Sequence, residues 1–385
     1  EHGERTKTDT VPVPAAIAIL NNDKVAVASD NNSQYESKQF LIRNCSEWTS
    51  IGSNEWIYRG PDGKVTELPY QKVIFADDIN GDGKVTWQDG AVALAEVYPD
   101  PYGAEMVRNS NVTITMNFAS EGQYPFLRQL DNIKKIYYLT DGFGQMLELK
   151  GYQSEGHDSG HPDYAGHYNE RAGGLKDLRV LIDEAKKYNA HIGFHINHSE
   201  SYPEARAFDD TIVTRIPGWK WLDQAYLINK EADHLNGSFA KRLDDLHRDL
   251  PGLSFIYLDT YREHRYWAYR TAKMFNERGW TVWTEDPSVF NRYGTWIHYN
   301  PESNSLISRF VHNHRKDAFG VDSLFPGGYG RGAEVGFQGW QSGRDMNLAV
   351  KNFYTKQLPL RYTMHFPVVY ADSVAARFRG GGGAR

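Results

Sequence analysis

Two patterns of apolar and polar positions divide the chain near residue 105. Before it, apolar runs are short and irregular: Lys24–Ala28 is typical of a strand, and Asn54–Leu68 of a hairpin around a Gly-Pro-Asp-Gly turn. After it, strand-like runs alternate with stretches whose apolar residues recur at helical spacing, as in Leu175–Tyr188. We therefore predict a β-rich region over residues 1–105 and a domain of repeated β–α units over residues 106–370.

The alternation in the second region predicts close to eight parallel strands. Strands are expected at Val112–Phe118, Ile136–Asp141, His191–Asn197, Ser254–Asp259, Trp280–Glu285, Thr295–Tyr299, Val335–Gly339 and Leu360–Val368. Helices are expected at Pro125–Lys135, Leu175–Tyr188, Ser238–Leu250, Arg265–Arg278, around Ser305–Ala318 and around Met346–Lys356. This pattern favours an α/β fold, a (β/α)8 TIM-type barrel preceded by the smaller β-rich region. An open doubly wound sheet is the alternative, but no glycine-rich phosphate turn follows an early strand.

Both ends of the chain differ from the region between them. Residues 371–385 finish in a glycine-rich stretch, Arg-Gly-Gly-Gly-Gly-Ala-Arg, and are predicted to be a disordered tail or the mark of a truncation. Residues 1–10 are charged and polar, so this stretch is not expected to be a signal peptide. We expect it to follow a domain boundary within a longer precursor.

Charge and composition exclude several classes of partner. The 43 Lys and Arg against 49 Asp and Glu give a net charge of −6, so no basic surface is expected for nucleic acid. Apolar runs such as Val11–Leu20 are shorter than the ~20 residues of a membrane span. The single cysteine, Cys45, excludes an internal disulfide. The 10 Trp and 24 Tyr, in contrast, offer flat faces with polar edges that suit a sugar.

Carboxylates stand at the predicted carboxyl ends of two neighbouring strands. Asp259 ends one of them and Glu285 the next, with a single helix between them. Active sites of such barrels lie at the carboxyl ends of the strands, so both side chains are predicted to face one cleft. Two carboxyl groups across a cleft can cleave a glycosidic bond, one protonating the leaving oxygen and the other attacking or activating water. The alternative is that they cap the following helices or pair with Arg262 or Arg292.

Histidines gather near the predicted second and third strands. The loop Gly156-His-Asp-Ser-Gly-His161 follows the second strand, and the third ends in His195-Ile-Asn197. Histidine and aspartate at this position could grip sugar hydroxyls. The alternative is zinc, held by His157, His161, His195 and His198. These histidines do not form a His-Glu-x-x-His element on a helix, which disfavours zinc.

Aromatic residues mark two further loops. Trp219-Lys-Trp221 follows Pro217-Gly218, and in an extended segment both indoles would point to one side, as a stacking surface or lid. Trp340-Gln341 pairs an aromatic platform with an amide that can read a hydroxyl or acetamido group. The alternative for the first motif is a loop pinned to the core by its aromatic side chains.

A twelve-residue calcium-loop pattern, of the EF-hand or dockerin type, lies at residues 78–89. Gly83 supplies its bend, Lys84 would contribute a backbone carbonyl, and the side-chain oxygens come from Asp78, Asn80, Asp82 and Asp89. The last position is Asp rather than Glu, and the shorter side chain would weaken binding. We expect a structural Ca²⁺ here; the alternative is an Asx-rich turn that holds no ion.

Taken together and in this order, these motifs resemble the endo-α-N-acetylgalactosaminidases of glycoside hydrolase family 101. The similarity runs from about Phe75 to Val368 and adds Trp87-Gln-Asp-Gly90, Asn169-Glu-Arg-Ala-Gly-Gly174 and Gly279-Trp280. It implies a retaining, endo-acting hydrolase that releases Galβ1-3GalNAc from Ser or Thr of mucin-type glycoproteins. It also implies a bacterial protein that is secreted or held at the cell surface, and no organic cofactor.

The resemblance assigns roles to the candidate residues. It makes Asp259 the nucleophile and Glu285 the general acid/base. The residues matching the substrate-binding motifs are His157, Asp158, His161, His195 and Asn197, with Trp219 and Trp221 as a lid and Trp340 and Gln341 as a further wall.

Departures from the family pattern leave two alternatives open. The chain has Gly151-Tyr-Gln-Ser-Glu155 where the family often has Trp-Gln, Asp259-Thr-Tyr-Arg262 where it tends to have Asp-x-Trp-Gly, and a shorter interval between the two carboxylates. One alternative is another retaining glycosidase, of the α-galactosidase or α-N-acetylgalactosaminidase type. The other is a non-catalytic carbohydrate-binding protein.

Overall fold

A computed structural model gives the fold of most of the chain. It describes residues 9–13, 18–33, 40–44, 47–53, 55–65, 67–117, 124–156, 158–220, 223–261, 265–285, 290, 292–297, 310–311, 316–317, 347, 350–351, 353–358, 367–380 and 382–384. The predicted strand Val335–Gly339 lies outside these residues, as does most of the strand predicted at Leu360–Val368 and of the helix predicted around Ser305–Ala318. Near Met346–Lys356, the described part contains a π-helix at Phe353–Gln357.

Two antiparallel three-stranded sheets form the amino-terminal region. One has the order β1 (Asp9–Val13), β4 (Phe40–Asn44), β5 (Thr49–Ser53), and the other β2 (Ala18–Asn21), β3 (Ala26–Asn31), β6 (Gln71–Ala76). The predicted hairpin is confirmed as a short one, a bridge between Arg59 and Val65. Its turn closes through the Gly63 amide, which donates to the Gly60 carbonyl at 2.9 Å.

Helix α1 (Trp87–Ala95) joins the β2-β3-β6 sheet to a third sheet near the carboxyl terminus. That sheet contains β17 (Val368–Ala371), β18 (Ala376–Phe378) and β19 (Gly383–Ala384). The Gln88 side chain donates to the Ala371 carbonyl at 2.7 Å and accepts from its amide at 3.1 Å. The prediction of a disordered tail over 371–385 is therefore wrong for its described residues. Ala376 and Phe378 alternate inward and are buried with α1, and this packing orders a segment whose glycine run is typical of disorder.

A parallel sheet forms the second region, and seven of its strands lie in the described part of the chain. Its strands follow one another across the sheet in chain order, which is the arrangement of a β/α barrel: β7 (Ser110–Met116), β8 (Gly144–Lys150), β9 (Ala190–Asn197), β13 (Phe255–Asp259), β14 (Thr281–Thr284), β15 (Gly294–Ile297) and β16 (Lys316–Asp317). The α/β class is confirmed; closure into eight strands stays a prediction.

Helices and a small accessory sheet connect these strands. The helices are α2 (Ala104–Arg108), α3 (Phe126–Leu139), α4 (Gly174–Ala185), α5 (Lys230–Leu235), α6 (Ser238–Asp249) and α7 (Arg265–Asn276). The accessory sheet has the order β10 (Glu200–Ser201), β12 (Gln224–Ile228), β11 (Val213–Lys220) and follows β9 in the chain. Within the described residues, no helix is both long and apolar enough to cross a membrane.

The predicted second strand, Ile136–Asp141, is wrong. Helix α3 continues through Leu139, because Leu130, Ile133 and Ile136 recur at helical spacing and are buried on one face. Tyr138, which suggested a strand, is 74% exposed on the opposite face. The true second strand is β8, whose polar residues hid it from an apolar pattern.

The two faces of the parallel sheet pack differently. Alternate residues such as Leu147, Phe194 and Leu258 pack against the helices, and the others face the interior. The buried interior cluster contains Val112, Ile114, Met146, Phe255, Tyr257, Trp283 and Trp296. Toward the carboxyl ends of the strands, the interior positions become polar, which places the candidate site.

Interior residues of three adjacent strands form layers. Glu148, Gly193 and Phe255 are opposite one another in the register of β8, β9 and β13. His195 and Tyr257 form the next layer, and Asn197 and Asp259 the one above it. A Cβ on Gly193 would lie 2.2 Å from the Phe255 ring, so the lowest layer requires glycine at that point.

Candidate active site

Asp259 lies at the carboxyl end of β13, at the top of the layered interior. Its side chain is 11% exposed, and its Oδ1 lies 3.6 Å from His195 Nε2. The His195 ring stacks on Tyr257 with centroids 5.3 Å apart. Asp259 therefore presents a carboxylate at the carboxyl edge of the sheet, beside an imidazole whose ring is held by stacking on Tyr257 in the same layer.

Glu285 is held next to Asp259 by the backbone of β13 and β14. Its amide donates to the Leu258 carbonyl at 3.1 Å, which extends the pairing of the two strands by one residue. Its Oε2 accepts from the amide of Thr260 at 3.2 Å. Thr260 has a φ of 45°, so the chain turns sharply directly after Asp259 and aims this amide at Glu285. The two carboxylates thus lie at adjacent strand ends.

The loop after β8 brings Asp158 and His161 to the same place. The Gln153 amide nitrogen donates to the Asp163 carbonyl at 3.1 Å and lies 3.0 Å from His161 Nδ1. Since this nitrogen is a donor, Nδ1 accepts, and the neutral His161 ring carries its proton on Nε2. That Nε2 lies 3.6 Å from Asp158 Oδ1. This tautomer leaves no lone pair on Nε2, which argues against zinc binding through that atom.

Asp158, His161 and His195 form a buried polar cluster. One potential ligand atom from each lies within 4.8 Å of the others, an arrangement found for no other such group in the described part of the chain. Acidic and imidazole groups at this spacing can accept and donate hydrogen bonds to neighbouring sugar hydroxyls.

His198 does not join this cluster. Its ring stacks on Phe239 at 3.9 Å, and its Nε2 lies 2.9 Å from Asp233 Oδ2. Burial lowers the pKa of His198 to about 4 against the opposing effect of Asp233. The four-histidine zinc site is therefore wrong with respect to His198, because His198 continues the alternation of Phe194 and Ile196 and its side chain lies in the helix layer.

Asn197 and Trp219 are connected through a residue that the sequence did not single out, Glu200. Asn197 Oδ1 accepts from the amides of Ser199 and Glu200, at 2.7 and 3.0 Å, so its side chain stabilises its own turn. Glu200 Oε2 lies 3.5 Å from Asn197 Nδ2, and Glu200 Oε1 accepts from the Trp219 amide at 2.7 Å. Glu200 therefore joins the strand end to β11, where the Trp219 side chain is 54% exposed.

Two further charged residues, Glu148 and Lys150, lie beneath the site on β8. Both are buried, with Lys150 Nζ 3.6 Å from Glu148 Oε1. Burial raises the pKa of Glu148 to about 7; the Lys150 cation opposes this shift and the Asp259 charge adds to it. Glu148 and Lys150 were not predicted to belong to the site because the sequence pattern did not predict strand β8.

Four candidate residues lie outside the described residues: His157, Trp221, Trp340 and Gln341. Their predicted contribution to substrate binding stays a prediction.

The calcium-loop segment forms a compact turn ahead of α1. Asp78 accepts from the amides of Gly81, Asp82 and Gly83, at 2.8–3.1 Å, which wraps the loop around this carboxylate. Asp89 is buried, and its oxygens accept from the amides of Ile79, Asn80 and Thr86, so it also caps α1. The wrapped backbone and the oxygen donors fit a hard cation such as Ca²⁺, with the capping role of Asp89 as a competing demand on that carboxylate. Calcium binding stays a prediction.

Comparison with known proteins identifies relatives of both regions. The family described as endo-alpha-N-acetylgalactosaminidase, glycoside hydrolase family 101, matches residues 88–350. The galactose mutarotase-like fold domain matches residues 2–87. A Renibacterium salmoninarum protein with the provisional name endo-alpha-N-acetylgalactosaminidase is 35% identical over 409 residues, covering 98% of this chain and 27% of that protein. The chain thus spans about a quarter of the length of this curated relative.

Solved structures share the fold at low sequence identity. The Bifidobacterium bifidum alpha-N-acetylgalactosaminidase NagBb in complex with GalNAc has a TM-score of 0.54 at 17% identity, covering 94% of this chain and 70% of that one. The Geobacillus stearothermophilus alpha-galactosidase AgaA in complex with stachyose has a TM-score of 0.58 at 12% identity, covering 97% and 62%. These similarities support an α/β glycosidase fold with an amino-terminal β-rich domain.

Proposed function

Because the chain belongs to the endo-alpha-N-acetylgalactosaminidase family, glycoside hydrolase family 101, we propose that it releases Galβ1-3GalNAc from Ser or Thr of mucin-type glycoproteins with retention of configuration. The observation that carries this proposal is the position of Glu285, whose carboxylate accepts a hydrogen bond from the residue directly after Asp259. Two carboxyl groups at adjacent strand ends are the equipment of a glycosidase. Since such glycoproteins lie outside cells, a secreted or cell-surface location is part of the proposal.

The proposed reaction has two displacements at the same carbon. Asp259 attacks the anomeric carbon of GalNAc, the bond to the Ser or Thr oxygen breaks, and Glu285 gives its proton to that oxygen. Glu285, now a carboxylate, takes a proton from water, and the resulting hydroxyl attacks the anomeric carbon and releases Asp259. Each step inverts the configuration, so the product retains that of the substrate.

The buried cluster beside Asp259 would hold the sugar. Asp158 can accept from two sugar hydroxyls, and His161 can donate through its protonated Nε2. The exposed indole of Trp219 offers an apolar face to the C–H side of a sugar ring. Such contacts orient the anomeric carbon toward Asp259, which is a large part of catalysis in sites of this kind.

Two substrates separate the roles of the carboxylates. One is a glycopeptide carrying Galβ1-3GalNAc on Thr; the other is the 4-nitrophenyl α-glycoside of the same disaccharide, whose leaving group needs no proton. Asp259→Asn is expected to lower kcat/KM by several orders of magnitude on both. Glu285→Gln is expected to lose far more on the glycopeptide than on the nitrophenyl glycoside, because protonation matters only for the peptide hydroxyl.

A matched control keeps the test specific. Asp183→Asn makes the same change at a side chain that is 73% exposed on α4 and is expected to leave both rates unchanged. Full activity of Asp259→Asn would defeat the proposed mechanism. Release of single sugars without the disaccharide would favour an α-galactosidase or α-N-acetylgalactosaminidase, and binding without turnover a carbohydrate-binding protein.

A further inference from the structure

An ion pair lies on the interior face of the sheet, below the level of the candidate nucleophile. Glu148 is fully buried and Lys150 is 1% exposed, and both belong to the interior face of β8. Glu148 is level with Gly193 and Phe255, two layers below Asp259. Lys150 is two residues further along the strand and therefore ~7 Å closer to the carboxyl ends of the strands. The cation therefore stands between the Glu148 carboxylate and the level of Asp259.

The surroundings of Lys150 connect it to the site. Its Nζ lies 3.6 Å from Glu148 Oε1 and 4.4 Å from the centre of the Tyr257 ring. Tyr257 supports the His195 ring, and His195 Nε2 lies 3.6 Å from Asp259. The titratable and charged groups of the described residues that face this interior are Glu148, Lys150, His195, Tyr257, Asp259 and Glu285, with Asp158, His161, Glu200 and Tyr202 from the loops above.

Stability alone gives little reason for such a pair. Taking two charges out of water is expensive, and a buried ion pair can often be replaced by apolar residues without loss of stability. The same low-dielectric surroundings make each charge effective over several ångströms. A buried cation one layer below a carboxylate that must be ionised is therefore more readily explained by its electrostatic effect on that carboxylate.

We propose that Lys150 is a positioning residue that keeps Asp259 ionised for attack, and that Glu148 sets how much of the Lys150 charge acts on it. This inference rests on the proposed role of Asp259 as nucleophile. It adds two residues to the site without assigning either of them contact with the substrate.

Reciprocity gives the direction of each effect. The Asp259 charge adds to the raised pKa of Glu148, so the Glu148 charge must raise the pKa of Asp259 through the same interaction. The Lys150 cation has the opposite effect and lowers the pKa of Asp259. Above a pH of about 7 Glu148 is ionised and offsets Lys150; below it Glu148 is neutral and the full cation acts on Asp259.

The pH dependence of kcat/KM on the nitrophenyl disaccharide tests this. With a leaving group that needs no proton, the acidic limb reports the ionisation of Asp259. Glu148→Gln is expected to leave that limb where it is in the parent protein, because Glu148 is already neutral at the low pH where Asp259 titrates. The double variant Glu148→Gln/Lys150→Met is expected to move the limb up, by about one pH unit relative to Glu148→Gln and to the parent protein. The two variants differ only in the cation, and the double variant leaves no unpaired buried charge.

Separate outcomes distinguish the two levels of the proposal. Azide should restore turnover to Asp259→Ala by taking the place of the missing carboxylate. If it does and the limbs of the two Glu148 variants coincide, the role of Lys150 is overturned while the nucleophile stands. If the double variant does not fold, the single variant Lys150→Met decides, because Glu148 is neutral at the pH of the limb and no buried charge is left unpaired there; a limb that does not move to higher pH overturns the inference. If Asp259→Ala keeps full activity, the proposed function itself fails.

Discussion

Burial of Glu148 should make the unfolding free energy of this protein depend on pH, and Glu148→Gln should remove that dependence. The pKa of this carboxyl is raised by burial from 4.5 to about 7 in the folded protein. Below pH 4.5 it is protonated in both the folded and the unfolded chain. Between pH 4.5 and 7 the unfolded chain releases this proton while the folded chain keeps it, so stability falls as pH rises. The loss is complete above pH 7.

The size of the effect follows from the shift. A difference of about 2.5 pKa units corresponds to ~3 kcal/mol at 1.36 kcal/mol per unit. Of this, about 2.5 kcal/mol should be lost between pH 5 and pH 8, because part of the loss has already occurred at pH 5. Glu148→Gln carries no proton at this position and should lack the decline.

Urea denaturation at pH 5 and pH 8 measures this loss of stability. The quantity compared is the change in unfolding free energy between the two pH values, so a constant cost of the substitution cancels. The control is Glu105→Gln, which alters a side chain 70% exposed on α2 and should leave the pH dependence of the parent protein intact. If the parent protein and Glu148→Gln lose stability in parallel between pH 5 and pH 8, Glu148 does not titrate as the structure implies.

Three further predictions concern packing, the lid and the calcium loop. Gly193→Ala should destabilise the protein by about 1–3 kcal/mol in urea denaturation, because the added methyl meets the Phe255 ring; an unchanged midpoint would contradict this. Glu200→Ala should raise KM for the glycopeptide with little change in kcat, because the Trp219 amide loses its acceptor, whereas Glu200→Gln keeps an oxygen there and should stay near the parent KM. Equal KM values for both would refute the link. Added Ca²⁺ should raise the Tm of the parent chain and raise it less in Asp78→Asn; a Tm that does not respond to Ca²⁺ would exclude the predicted site.

The fold was predictable wherever apolar and polar residues alternate because one face of a strand or helix is buried. The strands β9 and β13 are apolar on the face that meets the helices, and they end in polar residues at the mouth. Helix α4 carries its apolar residues at helical spacing. The predicted boundary between α3 and the next strand is wrong. The segment Ile136-Tyr-Tyr-Leu139 has the composition of a strand, but its buried positions continue the helix.

The candidate site was predictable at the level of strand ends and no finer. Asp259 and Glu285 lie together because successive parallel strands end on one side of the sheet. His198 follows the same strand end as His195, but it alternates with the interior residues and faces the helix layer, as Phe194 and Ile196 do. The position of Glu200 could not be predicted, because its two-residue strand has no recognisable pattern and its contact with Trp219 joins residues far apart in the chain.

The missed strand β8 and the buried ion pair have one physical cause. Leu147 and Leu149 face the helices, while Glu148 and Lys150 alternate with them on the interior face, so the segment has the pattern of a strand with one side in water. A strand in the middle of a parallel sheet is covered on both sides, by helices and by the barrel interior. Charged residues at alternate positions of such a strand must therefore be buried beneath the mouth. The charged residues that made β8 unlike an apolar strand are thus informative. Between two β–α units, a strand-length segment with charges two residues apart indicates polar groups lying under the active site.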